Sequence, residues 1–205
     1  MSYLRDPQAI YDASFATIAA EADLSRFSEN ERVVATRMIH ACGMVDLARD
    51  VRFSPTGVEV GRAALAAGAP ILCDVAMVDH GIIRDRLPAG NTVRCDIALD
   101  ETRERAGQNC TTRSAAQVDG WGEAMQDAVV VIGNAPTALF RVLELAGNVG
   151  ARPALVVGIP VGFVGAAESK DALHDSDVPH LTVLGRRGGS AIAAAAVNAL
   201  AGLAR

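Results

Sequence analysis

Short apolar runs alternate with helix-type patterns along the second half of the chain. Strands are predicted where Val, Ile and Leu run without a break, and helices where apolar residues recur every three or four positions. The predicted strands are Val129–Ile132, Ala154–Ile159 and His180–Leu184, and the helices that follow them are Pro136–Leu145, Ala166–Leu173 and Ser190–Leu203. Because apolar runs between helices are buried on both faces, this pattern predicts a mostly parallel sheet flanked by helices.

Two further strands and five further helices are predicted upstream. Ile71–Val78 is largely apolar and Val93–Leu99 is more mixed, which brings the sheet to about five strands. A capping box, Ser28 with Glu31, starts one of the helices. The upstream helices are predicted over Gln8–Ala22, Ser28–Gly43, Ser54–Ala67, Asp100–Gly107 and Thr111–Met125.

The chain shows no internal repeat, low-complexity tract or long linker. We therefore predict one α/β domain over residues 1–205. It divides into an N-terminal helical part, residues 1–68, and an alternating β/α part, residues 69–205. The helical part is expected to pack across the sheet edge or against a partner subunit.

Three glycine-rich turns follow predicted strands and lead toward helices. They are Gly133–Thr137, Gly158–Gly165 and Gly185–Ser190. In a parallel sheet such turns meet at the carboxyl edge, where ligands bind. Free backbone N–H groups and helix N-termini attract negative charge, so the turns predict a pocket for an anionic ligand.

The phosphate-binding signatures of nucleotide enzymes are missing from these turns. No GxxxxGK[ST] occurs, and no GxGxxG follows a strand and opens a helix. These absences weigh against an NTPase or a dinucleotide enzyme. An organic anion with carboxylates remains compatible with the pattern.

Composition narrows the partners. The 205 residues carry a net charge of −5, which disfavours nucleic acid because phosphate neutralisation needs a basic face. Apolar runs stop well short of the roughly 20 residues of a membrane span, and the N-terminus has no signal-peptide core. We therefore expect no membrane association and a cytoplasmic location. The four cysteines form no CxxC, and no metal or disulfide is predicted.

Histidine is the natural acid at neutral pH, and the chain has four. His40 lies in the last turn of the predicted Ser28 helix, where the helix dipole favours the protonated imidazolium. His80 follows the first strand and is a weaker candidate, whereas His174 and His180 fit structural positions. Neither GxSxG nor metal-ligand spacing occurs, so an acid acting alone fits better than a nucleophile or a metal.

Four basic residues are expected near the carboxyl edge. Arg113 follows two threonines at a predicted helix start, an arrangement that suits a carboxylate. Arg186 and Arg187 precede the start of the last helix, and Lys170 lies in the Ala166 helix. The alternative for Arg113 and Lys170 is a solvated helix charge.

Five segments together resemble the precorrin-8X methylmutase family. They are Thr36–His40, Thr112–Ser114, Gly133–Leu139, Pro160–Lys170 and Gly185–Ser190. The resemblance covers nearly the whole chain and implies a homodimeric isomerase that uses no cofactor. It would move a methyl group from C-11 to C-12 of precorrin-8X, giving hydrogenobyrinic acid. The family's catalytic histidine falls on His40, its active-site arginine on Arg113, and a substrate-contacting serine on Ser14.

This chemistry agrees with the residue-based analysis at His40. A general acid to the ring C nitrogen supplies a factor of about 10²–10⁴ in rate. The substrate's carboxylate arms would be bound by Arg113, Lys170, Arg186 and the turn at Gly162, and Phe163 would provide an apolar wall. Two alternatives stay open: the same reaction on a cobalt-containing substrate, and a non-catalytic tetrapyrrole- or flavin-binding protein of flavodoxin-like fold.

Overall fold

A computed structural model describes residues 3–147 and 151–205; Met1, Ser2 and residues 148–150, which the predicted domain includes, lie outside it. The described residues form six strands: β1 Val51–Phe53, β2 Ile71–Cys73, β3 Val93–Arg94, β4 Val129–Ile132, β5 Leu155–Gly158 and β6 His180–Val183. They form one sheet in the order β1–β6–β5–β4–β2–β3. All neighbouring pairs are parallel except β1 with β6, where Val51 pairs with Val183.

The helices cover both faces of the sheet. They are α1 Pro7–Glu21, α2 Glu29–Cys42, α3 Gly57–Ala66, α4 Ala76–Gly81, α5 Asp100–Gln108, α6 Arg113–Trp121, α7 Pro136–Ala146, α8 Ala166–His174 and α9 Ser190–Leu203. Short 3₁₀ turns span Val45–Arg49, Arg84–Arg86 and Gly122–Met125.

Alternation along the central strands separates two apolar cores. In β4, Val129 and Val131 face a core shared with α2, α3 and α9, whereas Val130 and Ile132 face a core shared with α6 and α7. Successive side chains of a strand point to opposite faces, and all four residues are fully buried. The predicted α/β class with a mostly parallel sheet is therefore confirmed.

The sheet differs from the prediction at its edges. The described part of the chain has six strands and not five. The additional strand, β1, pairs antiparallel with β6, and its three residues are too few to give a recognisable pattern. The predicted N-terminal helical part thus also supplies a strand. Its helix α2 packs on α9, which in turn packs on β4 and β5.

The predicted strand Ile71–Val78 was wrong in its second half, and Val93–Leu99 was too long. β2 ends at Cys73 and α4 begins at Ala76, because an apolar run alone does not distinguish a strand from a buried helix. β3 ends at Arg94, and the N–H of Asp96 donates to the Gln117 side chain at 3.2 Å and not to a strand.

Local helix signals were more reliable. The capping box is present: Glu31 N–H donates to the Ser28 hydroxyl, and Ser28 N–H donates to the Glu31 carboxylate. Gly43 ends α2 in the left-handed conformation, at φ 69°. The predicted helix Thr111–Met125 stops at Trp121 and continues as a 3₁₀ turn from Gly122, where φ is 51°.

Candidate active site

Helices α7, α8 and α9 begin at the carboxyl edge of the sheet, after β4, β5 and β6. Their N-cap residues, Ala135, Gly165 and Gly189, make no side-chain hydrogen bond to their own helices. The first turn of a helix leaves backbone N–H groups without intrahelical partners, and its dipole favours anions. The edge therefore has the polarity that the sequence predicted.

The first glycine turn does not offer its N–H groups to a ligand, and this expectation was wrong. Asp74 accepts hydrogen bonds from the N–H groups of Gly133, Asn134 and Ala135 at 2.8–2.9 Å. The carboxylate is fully buried, and burial raises its pKa while these N–H donors oppose the rise. An internal carboxylate thus occupies the place predicted for an external anion. The one sequence signal for it is an acidic residue at the end of an apolar run.

The second and third turns are hydrogen bonded to each other. Gly162 N–H donates to the carbonyl of Arg186 at 3.3 Å, so this N–H is not free for a ligand. Gly162 has φ 152°, a conformation that favours glycine. Gly188 lies so close that a Cβ there would be 2.5 Å from the Ile159 carbonyl oxygen. Close backbone contact fixes the two loops together.

Apolar surface and positive charge meet on these loops. Phe163 is 84% exposed and Val164 is 89% exposed, which is unusual for large apolar side chains. The guanidinium carbon of Arg186 lies 5.5 Å from the centre of the Phe163 ring. Such an arrangement can contact a flat apolar ring and a carboxylate side by side.

Lys170 does not occupy the position expected of a ligand-binding or solvated residue. Its side chain is fully buried in α8, and its ammonium donates to the Arg187 carbonyl at 2.6 Å. Burial lowers the pKa of Lys170 to about 8. The Lys170 ammonium thus holds the third turn through the Arg187 carbonyl, and it is not exposed to solvent.

Arg187 is also engaged within the protein. Its guanidinium contacts the carboxylates of Asp46 at 2.8 Å and Asp50 at 2.5 Å. The two carboxylates raise the pKa of Arg187. Of the adjacent arginines in this turn, Arg186 is the one that lies against an exposed apolar side chain.

His40 lies in the last turn of α2, exposed, at the rim of a hollow of about 380 Å³. Ser14 of α1 lines the same hollow, together with Gly43 and Val45. The Ser14 hydroxyl donates to the Ile10 carbonyl at 2.9 Å, which leaves its oxygen able to accept a hydrogen bond. The structure therefore brings the predicted histidine and serine together.

An aromatic pair connects His40 to a nearby arginine. The ring centre of His40 lies 5.2 Å from that of Phe15 and 6.0 Å from that of Tyr11. The guanidinium carbon of Arg37 lies 5.0 Å from the Tyr11 ring centre and 5.2 Å from that of Phe15. Arg37 and the aromatic pair were missed as site residues. Their signal was the i, i+3 spacing of Arg37 and His40 on one helix face.

Arg113 lies elsewhere on the carboxyl edge. It is the first residue of α6 and is exposed. The Thr112 hydroxyl caps this helix by accepting from Ala115 N–H at 3.1 Å, and it lies 2.9 Å from the Thr137 hydroxyl of α7. Helix α6 packs in the core opposite to that of α2, so one chain does not place Arg113 in the hollow beside His40.

The remaining histidines do not line this hollow. His180 is buried at the start of β6, where its Nδ1 contacts the Val178 carbonyl at 2.8 Å and burial lowers its pKa. His174 Nδ1 lies 3.4 Å from His180 Nε2. This pair supports the predicted structural role of both residues. His80 is exposed in the last turn of α4.

Membrane-spanning helices and metal-binding groups are both absent from the described part of the chain. Within residues 3–147 and 151–205, no helix has both the length and the apolar character needed to cross a membrane. Over the same ranges, no group of three or more His, Cys, Asp or Glu side chains is arranged to hold a metal ion.

The fold and the site define an α/β enzyme whose ligand edge is formed by loops at the ends of parallel strands. The family profile described as precorrin-8X methylmutase matches residues 9–203. A precorrin-8X methylmutase from Sinorhizobium sp is 56% identical over 97% of this chain and 96% of its own length. The chain belongs to the precorrin-8X methylmutase family and is an isomerase, as the resemblance implied.

Two further comparisons agree with this assignment. The crystal structure of precorrin-8X methylmutase from Thermus thermophilus matches with a TM-score of 0.87 at 40% identity, covering 96% of this chain and 97% of that chain. A cobalt-precorrin-8 methylmutase from Leptospira interrogans is 36% identical over 93% of this chain and 91% of its own length. Relatives of this chain thus carry names that give two different substrates.

Proposed function

We propose that this isomerase moves a methyl group of precorrin-8X from C-11 to C-12 of ring C, giving hydrogenobyrinic acid, with His40 as the general acid. The observation that supports this most is the shared hollow of His40 and Ser14. Ser14 was assigned to the reaction by resemblance alone, whereas His40 was also singled out by its position in the last turn of its helix, and the two residues come from different helices. Their convergence on one ligand-accessible surface supports a common role.

The proposed role of His40 is to polarise the conjugated ring. A proton donated toward the ring C nitrogen withdraws electron density from the system through which the methyl group migrates. One positioned acid contributes a factor of about 10²–10⁴. The methyl group stays within the molecule, so the rearrangement requires no redox partner and no cofactor is proposed.

The remaining predicted residues divide into two groups. Arg113 and Arg186 offer exposed guanidinium groups for carboxylate arms, and Phe163 offers an exposed face for the macrocycle. We also assign Arg37 to this group, because it lies beside the aromatic pair next to His40. Gly162 and Lys170 are proposed to act indirectly, by shaping the loops through their bonds to Arg186 and Arg187.

A homodimer is part of the proposal. His40 and Arg113 lie over opposite faces of the sheet in one chain, and a two-fold partner can bring its Arg113 to the neighbouring His40. Mixing His40→Ala with Arg113→Ala subunits tests this arrangement. If sites are shared, about a quarter of wild-type activity is restored, because about half of the dimers are mixed and one of the two sites in each mixed dimer is intact. No restoration would show that each chain supplies both residues to its own site.

The metal-free substrate is proposed over the cobalt-containing one. The Sinorhizobium sp relative named for precorrin-8X is 56% identical, whereas the Leptospira interrogans relative named for cobalt-precorrin-8 is 36% identical. Supplying each substrate separately and comparing kcat/KM decides between them. A higher value for the cobalt form would reverse this choice.

We also propose the cytoplasmic location that the composition predicts.

The direct test is incubation with precorrin-8X while the absorbance of the corrin chromophore is followed. His40→Ala is expected to lower kcat by about 10²–10⁴-fold. The matched control is His80→Ala, which removes an exposed histidine from the last turn of α4 that does not line the hollow beside His40. Undiminished turnover in His40→Ala would refute acid catalysis by that residue.

The same material separates the enzyme from its rivals. A tetrapyrrole-binding protein without activity would bind hydrogenobyrinic acid but leave precorrin-8X unchanged. A flavodoxin-like protein would carry a flavin spectrum after purification. Either result would refute the proposed function.

A further inference from the structure

Arg187 connects two parts of the candidate site that are distant in sequence. Its guanidinium contacts Asp46 Oδ2 at 2.8 Å and Asp50 Oδ2 at 2.5 Å, across sequence separations of 141 and 137 residues. Nη2 also lies 3.4 Å from the Asp46 carbonyl. Two carboxylates thus neutralise this guanidinium and hold it against the Val45–Arg49 turn.

The backbone of the same residue belongs to the strand-end loops. The Arg187 carbonyl accepts the buried ammonium of Lys170 at 2.6 Å. The carbonyl of the preceding residue, Arg186, accepts a hydrogen bond from the Gly162 N–H, and the Arg186 guanidinium packs on the Phe163 ring. Displacing Arg187 would therefore shift the loops that carry Phe163 and Arg186 relative to the Val45–Arg49 turn.

The turn held by Arg187 reaches the hollow beside His40. Asp46 directly follows Val45, which lines that hollow together with Gly43. The turn continues from the end of α2, whose last turn carries His40. Arg187 is therefore a bridge between the proposed acid and the proposed substrate loops.

We infer that Arg187 is a positioning residue of the methyl shift, which fixes the His40 hollow against the loops carrying Phe163 and Arg186, and that it does not itself bind a carboxylate arm. This inference rests on the proposed function. A positioning role and a substrate-binding role for Arg187 have different testable consequences. If Arg187 positions, then removing its two aspartates has the same effect as removing the arginine. If Arg187 binds substrate, then removing the aspartates frees it for the ligand.

The test compares Arg187→Gln with the double variant Asp46→Asn/Asp50→Asn. Both are expected to lower kcat for precorrin-8X by about 10- to 100-fold, the cost of misplacing reacting groups by around 1 Å. Affinity for hydrogenobyrinic acid, measured by absorbance titration, should stay within about threefold in both. The matched control is Arg152→Gln, which breaks an ion pair of 3.0 Å with Asp177 at the other end of the strands.

A second measurement needs no substrate. The amides of Leu47 and Asp50 donate hydrogen bonds at the two ends of the Val45–Arg49 turn, at 3.1 and 2.9 Å. Their hydrogen exchange should become about tenfold faster in Arg187→Gln and stay unchanged in Arg152→Gln. Unchanged exchange in Arg187→Gln would overturn the inference.

The kinetic outcomes separate the two proposals. Wild-type protein that leaves precorrin-8X unchanged would refute the proposed function. Wild-type turnover with an undiminished kcat in Arg187→Gln would refute the positioning role alone. Lost product affinity in Arg187→Gln, with full kcat in the double aspartate variant, would instead make Arg187 a direct substrate ligand.

Discussion

Replacing Lys170 by methionine should change how the stability of this enzyme depends on pH. Lys170 is the chain's single lysine, and its side chain is fully buried with the ammonium on the Arg187 carbonyl. Burial in α8 lowers its pKa from 10.5 to about 8. The folded enzyme therefore releases this proton at a lower pH than the unfolded chain does.

The size of the effect follows from that pKa difference. Between about pH 8 and pH 10.5 the unfolded chain holds a proton that the folded enzyme has lost, so the free energy of unfolding rises with pH. One pKa unit corresponds to about 1.4 kcal/mol. Relative to low pH, where both states hold the proton, the release of this proton therefore adds about 2 kcal/mol to the free energy of unfolding at pH 9.5 and close to zero at pH 7. Methionine fills a similar volume and has no proton to lose. The wild type should therefore gain about 2 kcal/mol relative to Lys170→Met between pH 7 and pH 9.5.

Urea unfolding at the two pH values measures this difference. The single tryptophan, Trp121, is 2% exposed and reports unfolding by fluorescence. Burial raises the pKa of the Cys73 thiol, but this residue is common to both proteins and cancels in the comparison. In addition, the one lysine gives a single ¹³Cε signal, whose titration reads its pKa directly. A stability difference that is independent of pH, or a lysine titrating near 10.5, would refute the argument.

Two further substitutions test the loops. Asp74→Asn should lower the free energy of unfolding, measured in urea, by about 2–4 kcal/mol, because the amide nitrogen cannot accept hydrogen bonds from the N–H groups of the turn. The control Asp175→Asn, at an exposed position, should lower it by less than about 0.5 kcal/mol. Equal losses would contradict the role given to Asp74. Phe163→Ala should change stability by less than about 0.5 kcal/mol, since this side chain is 84% exposed, yet raise KM for precorrin-8X. An unchanged KM would remove Phe163 from the substrate surface.

Elements that depend on neighbouring residues could be predicted from the sequence. The Ser28–Glu31 capping box and the helix Ser190–Leu203 are where their patterns place them. So are the apolar runs of β4 to β6, because capping and side-chain periodicity act over at most a few residues. The glycine turns were likewise placed correctly at the carboxyl edge.

The partners of those turns could not be predicted in the same way. Asp74 bonds Gly133 across 59 residues, and Arg187 bonds Asp46 across 141. Each of these residues has several acceptable environments when its own segment is considered alone.

The sequence by itself therefore determined the α/β class, the ends of helices α2 and α9, and the candidate residues His40, Ser14 and Arg113. Tertiary structure alone decided that Asp74 occupies the first turn, that Lys170 is buried, and that His40 shares a hollow with Ser14 but not with Arg113. The physical reason is that a charged or polar group takes the partner that packing brings within hydrogen-bonding distance. That partner is set by how the helices lie on the sheet, which no local pattern encodes.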